Sequence, residues 1–199
     1  MSMRNPKPRR KRLRDEHAEA TRAAVVAAAR TLFGTRGYGD TSIDDVAVAA
    51  RATKGAVYHH FRDKRAVFRA VYDDMARELV AEIVRQTPDP NPREALRSFL
   101  AYGKTATVRR IMFRDGPLVL GGECREIDAK YALGMLTAMV RATADRDLRD
   151  ESEIVARLLL ALAIEAAQII GAANAPRRAT RAIEAVMSRI LEALRSNAT

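Results

Sequence analysis

Residues 41–61, TSIDDVAVAARATKGAVYHHF, decide how the rest of the chain is read. Thr41 or Ser42 can cap a short helix, and Asp44 and Asp45 suit its positive N-terminal end. Ile43, Val46 and Ala47 fall at helical spacing and are expected to point inward. Ala50-Arg51-Ala52 forms the turn. Thr53 caps a second helix of barely two turns, Lys54 to His60, and Phe61 is a core anchor. The second helix carries Thr53, Lys54, Tyr58 and His59. Two short helices about a tight turn have the shape of a helix-turn-helix, whose second helix enters the DNA major groove.

Upstream, Val25, Ala28, Ala29, Leu32 and Phe33 mark the inner face of a helix expected over residues 15–35, ended by Gly34 and Gly37. Residues 1–14 hold seven Lys/Arg and two Pro with almost nothing to bury, so they are expected to be a disordered basic arm. Such an arm would follow the phosphate backbone or enter the minor groove, or act only as a solvated tail. Downstream, Asp63 caps a helix that continues through Val67, Val71, Met75 and Leu79 to about Arg85. The run TPDPNP at 87–92 is the clearest linker. Beyond it a helix is expected over 93–108, a short helix or turn over 109–115, and a long helix over 118–147. The segment 151–173 is apolar all round and needs cover on every side, which points to a partner subunit. A last helix over 176–195 starts at Pro176 and aligns Ile183, Val186, Met187, Ile190, Leu191 and Leu194 on one face. No segment alternates as a strand does, and the fold class is all-α.

Charge supports a phosphate-facing N-terminal third. Residues 1–64 hold 14 Lys/Arg against 7 Asp/Glu, a net of +7 within the total of +10. Cys124 is the only cysteine, which excludes an intramolecular disulfide, suits a reducing cytoplasm and is expected to be an inert thiol. The N-terminal residues have no apolar core and do not read as a secretory signal. The longest uninterrupted apolar run, Leu158 to Ile164, is seven residues, against the roughly 20 a membrane span needs, so no membrane partner is expected. His17, His59 and His60 lack a cysteine or carboxylate at ligand spacing, so no metal is expected. No P-loop, nucleophile elbow or carboxylate–histidine motif is present; no catalytic residue, cofactor or enzymatic role is expected.

AAARTLFGTRGYGDTSIDDVAVAA and then TKGAVYHHFRDKRAVF, with Lys64 opening the following helix, resemble the TetR family of bacterial transcription regulators. The resemblance is specific between about Val25 and Val71 and covers the rest in layout only. It implies a three-helix DNA-binding bundle at 15–62 and a regulatory and dimerisation body of about six helices at 63–199. It implies a homodimer through the helices near 151–173 and 176–195, packed as a four-helix bundle. A small effector in the body would change the spacing of the two DNA-binding heads. The family often has Gly in the helix-turn-helix turn, near where Arg51 stands here. Arg at positive φ costs on the order of 1 kcal/mol, so either the turn differs or the guanidinium contacts a phosphate. Ala52 replaces a common Val and thins the small core.

The candidate DNA-binding residues are Thr41, Ser42, Arg51, Thr53, Lys54, Gly55, Tyr58, His59 and Lys64. Thr53 can bond a phosphate, Lys54 a phosphate or a guanine edge, and Gly55 lets the backbone approach closely. Phe99, Tyr102, Met112, Phe113, Tyr131, Met135 and Met139 could line an apolar pocket, with Glu165 or Gln168 as the polar handle, or simply form core. The expected function is a DNA-binding regulator on a palindromic double-stranded operator, acting as a ligand-responsive repressor in the cytoplasm. The alternatives are a non-specific basic DNA-coating protein and a regulator without a small-molecule effector.

Overall fold

A computed structural model describes residues 7–194. The elements are α1 Lys7–Arg36, α2 Ile43–Ala49, α3 Lys54–His60, α4 Lys64–Gln86, α5 Pro92–Tyr102, the single turn α6 Ala106–Val108, a π-helical stretch Arg109–Asp115, α7 Gly116–Leu120, α8 Glu123–Thr143, α9 Arg146–Asp150, α10 Ser152–Ala172 and α11 Pro176–Ala193. The fold is all-α, with no strand among the described residues. It forms two compact units, up to Val71 and from Tyr72 onward. The sequence placed that boundary at 62/63, whereas Val67, Phe68 and Val71, all fully buried, draw the first turns of α4 into the N-terminal unit.

In the N-terminal unit α1 begins earlier than expected. Residues 1–6 of the expected arm lie outside the described residues, and 7–14 are opening turns of α1 rather than an irregular tail. Arg and Lys are good helix formers, and Pro8 falls in the first turn, where proline is tolerated. Arg12 Nε also pairs with Glu16 one turn on, at 3.0 Å. The helix runs through Gly34 and stops at Gly37, whose φ of 93° is a left-handed conformation that favours glycine. Val25, Ala29 and Phe33 are buried as expected, with Ile43, Val46, Ala47, Val57 and Phe61 from the next two helices. Phe33, Tyr38 and Phe68 meet edge-on or tilted, with centroids 5.2–5.8 Å apart.

The C-terminal unit departs further from expectation. The proline run is an internal turn of this unit, not a linker between units; Asn91 Oδ1 accepts from the Arg93 and Glu94 amides and starts α5. The helix expected over 93–108 ends at Tyr102, and the stretch 109–115 adopts π geometry that buries Ile111, Met112 and Phe113. The long helix expected over 118–147 is three helices. Gly121, at φ 59°, breaks it first, and the extended Ala144 followed by the Asp145 cap breaks it again.

α10 packs on α8, on the π-helical stretch and on α11. Gly171 permits this closeness, because a Cβ there would sit 2.7 Å from both Cβ and O of Phe113. Ion pairs Arg93–Glu192 and Arg97–Glu184 join α5 to α11. By length and composition α10 is long and apolar enough to cross a membrane, which the count of uninterrupted apolar runs had excluded, since single charges interrupt but do not cancel its hydropathy. Here Val155, Ala156, Leu159, Ala166, Ala167 and Ile170 are buried in the unit.

Candidate nucleic-acid interface and body cavity

α2 and α3 are each only seven residues, too short to persist alone, so caps and the turn must define them. Ser42 is the cap of α2: its Oγ accepts from the Asp45 amide at 3.0 Å while Asp45 Oδ2 accepts from the Ser42 amide at 2.9 Å. The Ser42 hydroxyl also donates to Asp45 Oδ2 at 2.6 Å, and this bond first, then that from the Ser42 amide, holds the Asp45 carboxyl below its ordinary pKa. At the other end the Arg51 amide donates to Val48 O at 3.1 Å and the Ala52 amide to Ala47 O at 2.9 Å. These two bonds are a Schellman closure, which places Arg51 at the site where glycine is favoured. Arg51 adopts φ 53°, the one left-handed non-glycine residue among those described. The glycine-type turn is therefore kept with arginine in it, and of the two alternatives the altered turn is removed.

Thr53 Oγ1 then accepts from the Ala56 amide at 3.1 Å and starts α3. A hydroxyl that accepts one bond can still donate another. Val57 is buried, which turns Lys54, Gly55, Tyr58 and His59 outward. A Cβ at Gly55 would meet nothing nearer than Thr53 Oγ1 at 3.9 Å, so its backbone faces open space. Lys54 Nζ sits 2.9 Å from Asp44 Oδ1, and the hydrogen bond and charge of Asp44 raise its pKa. Sequence reading gave Asp44 only a helix-end role and missed this pairing. The signal was available, since both residues lie at N-termini of adjacent short helices.

Two of the residues expected at the DNA also bond within the unit. Thr41 is buried and its hydroxyl donates to Gly37 O at 2.8 Å, so it is part of the core beneath the cap. Lys64 donates to Tyr38 O at 2.8 Å and lies 4.2 Å over the Tyr38 ring, closing the loop between α1 and α2. Thr41, Ser42, Lys54, Tyr58 and Lys64 line one open recess at the surface of this unit.

The C-terminal unit encloses a cavity of about 160 Å³. Of the pocket residues expected from sequence, Phe99, Met112, Phe113, Met135, Met139 and Gln168 line it. Three do not. The Tyr102 hydroxyl donates to Met75 O at 3.4 Å, the Tyr131 hydroxyl donates to Asp73 Oδ2 at 2.6 Å, and Glu165 faces outward on α10. The polar group that sequence reading missed is Asp128. It shares the α8 stripe of Cys124, Met135 and Met139, a register that marks it as inward despite its charge. The Tyr72 hydroxyl donates to its two oxygens at 3.1 and 3.2 Å. Burial raises the Asp128 pKa to about 6, against a smaller lowering by that bond, and burial with Asp128 beside it drives the Tyr72 phenol far up.

Residues 25–71 match the profile described as "Bacterial regulatory proteins, tetR family", and residues 91–194 match "Tetracyclin repressor-like, C-terminal domain". The TetC protein of transposon Tn10 from Escherichia coli is 32% identical over 130 residues, which cover 63% of this chain and 66% of TetC. The transcriptional regulator AcrR of Shigella flexneri is 32% identical over 96 residues, covering 47% and 44%. The chain thus spans at most about two thirds of these relatives' lengths. A TetR-family transcriptional regulator from Pectobacterium atrosepticum superposes with TM-score 0.77 at 28% identity, over 92% of this chain and 97% of that one.

Proposed function

The chain belongs to the tetR family of bacterial regulatory proteins, and from that premise we propose that it is a DNA-binding transcription regulator, acting in the cytoplasm as a ligand-responsive repressor on a palindromic operator. The observation that carries this reading is the Arg51 turn between two side-chain-capped helices. The turn holds α3 with Val57 inward and Thr53, Lys54, Gly55, Tyr58 and His59 outward, as a helix that enters a major groove requires. Arg51 supplies a phosphate partner beside it. Lys64 and the Ser42 end of α2 frame the same recess, while Thr41 supports them from within. No catalytic step is assigned.

A homodimer is the natural cover for α10 and α11. Ile154, Leu158, Leu162 and Ile169 of α10 and Val186 of α11 are exposed, at 40–61%. Exposed large apolar side chains aligned on one helix mark an interface. Glu165 lies on this outward side. A two-fold dimer presents two α3 helices to two half-sites. An effector in the cavity would favour a dimer whose heads no longer fit both grooves, and DNA would weaken effector binding by the same factor.

The test is binding of the full chain to DNA from upstream of its own gene, with excess random competitor. A discrete, competitor-resistant complex is expected. Binding lost equally to every competitor, unaffected by changes on α3, would replace this reading with a DNA-coating protein.

A further inference from the structure

The charge inside the cavity is lopsided. Its described lining is almost entirely hydrocarbon, and the two charged residues in it are Arg125 and Asp128. Arg125 is exposed, whereas Asp128 is half-buried. The influences on Asp128 are burial and the Tyr72 hydroxyl, with no cation among them. Tyr72 fixes the carboxylate by donating to both oxygens, and each oxygen keeps a lone pair for a further donor. From α5, the π-helical stretch, α7, α10 and α11 the wall brings residues such as Leu96, Phe99, Met112, Pro117, Leu159 and Met187, and one neutral amide, Gln168.

We propose that the cavity takes an apolar monocation, an ammonium with N–H donors on a hydrocarbon body, whose nitrogen pairs with the Asp128 carboxylate. This rests on the reading of the cavity as the effector site. A buried carboxylate without a counter-charge is costly, and an ammonium supplies both the charge and the donors that offset it. A carboxylate ligand would meet like charge there. A neutral alcohol could fill the apolar wall yet leave the buried charge unpaired. Tyr72 acts as a positioning residue for Asp128.

The experiment is calorimetric titration of the full chain with n-octylammonium, n-octanol and octanoate at about pH 7.5 and about pH 5. Octylammonium should bind tightest at the higher pH, and Asp128→Asn should weaken it about tenfold or more while octanol is unmoved. Tyr72→Phe should weaken it less. Lowering the pH should weaken octylammonium in the wild type and not in Asp128→Asn. The other charged or titratable side chains lining the cavity are Tyr72 from α4 and Cys124 and Arg125 from α8, none of which ordinarily titrates in that interval. Octanol or octanoate binding as tightly as octylammonium, or an unchanged octylammonium affinity in Asp128→Asn, would overturn the cation and leave the cavity as an effector site. Failure of all three probes to bind would remove the cavity reading along with it.

Discussion

The two units use polar groups in opposite ways. In the N-terminal unit they lie at helix ends and outside: Ser42 and Thr53 cap, Lys54 and Asp44 pair in solvent, and Arg51 holds an exposed turn. The hydrocarbon core beneath, with Phe33, Val46, Val57 and Phe68, is closed. In the C-terminal unit the telling polar group, Asp128, is inside, among hydrocarbon, and the outside of α10 is apolar. The first arrangement suits reading a charged partner at a surface. The second suits enclosing a small one and covering a surface with another subunit. Changes at the outer positions of the first unit should therefore move binding and spare stability, and changes at the inner positions of the second should move stability first.

The sharpest test is Gly171→Ala. Its Cβ would lie 2.7–2.8 Å from backbone and Cβ atoms of Phe113, which cannot swing aside. A loss of about 2–3 kcal/mol is expected, read as a lowered midpoint in urea unfolding. An unchanged midpoint would mean that the approach of α10 to the π-helical stretch is not tight. Asp128→Asn should act in the opposite direction. The folded pKa of about 6 lies above the ordinary 3.8, so the folded state holds its proton to higher pH and stability falls as pH rises through that window. Removing the charge should raise stability by about 1–2 kcal/mol above pH 6 and by nothing below about pH 4. A gain of the same size at both ends would show that the carboxylate's charge is not what burial penalises.

In the N-terminal unit two changes separate reading from folding. Lys54→Ala should weaken operator binding by about 10- to 100-fold and lower the salt slope by about 1, with thermal unfolding unmoved. Gly55→Ala should leave the protein as stable or more so, since alanine favours helix and meets open space, yet weaken operator binding about tenfold if the DNA backbone approaches there. Full affinity in both variants would sever α3 from the DNA.

What was legible follows from range. Caps and turns act over three to five residues, so the α2–turn–α3 unit could be read directly, whereas the sequence left open whether Arg51 takes the glycine position, which its φ of 53° answers. The internal bonds of Thr41 and Lys64 were not legible because their partners, Gly37 O and Tyr38 O, are carbonyls with no sequence signature. The breaks at Gly121 and Ala144 were missed although Gly121-Gly122, and Thr143 and Asp145 on either side of Ala144, are poor helix formers and were the available cues, and π geometry leaves no pattern of its own. Phe99, Met112, Phe113, Met135 and Met139 line the cavity while Tyr102 and Tyr131 do not, and Asp128 was not singled out. Its position one turn beyond Cys124 on the apolar stripe was the available cue.

Arg51→Gly gives the smallest effect and the finest distinction. Arginine at φ 53° costs on the order of 1 kcal/mol relative to glycine in the folded state, but glycine also gains freedom in the unfolded chain. The net gain in stability should be under about 1 kcal/mol, seen as a rise of a few degrees at most in the unfolding temperature. The Schellman bonds from the Arg51 and Ala52 amides would be kept, because they involve backbone alone. If the guanidinium meets a phosphate, operator affinity should fall several-fold and the salt slope should drop, although the fold has become more stable. If affinity holds while stability rises, the arginine at this turn is strain without a DNA contact, and α3 rests on its caps and Lys54 alone.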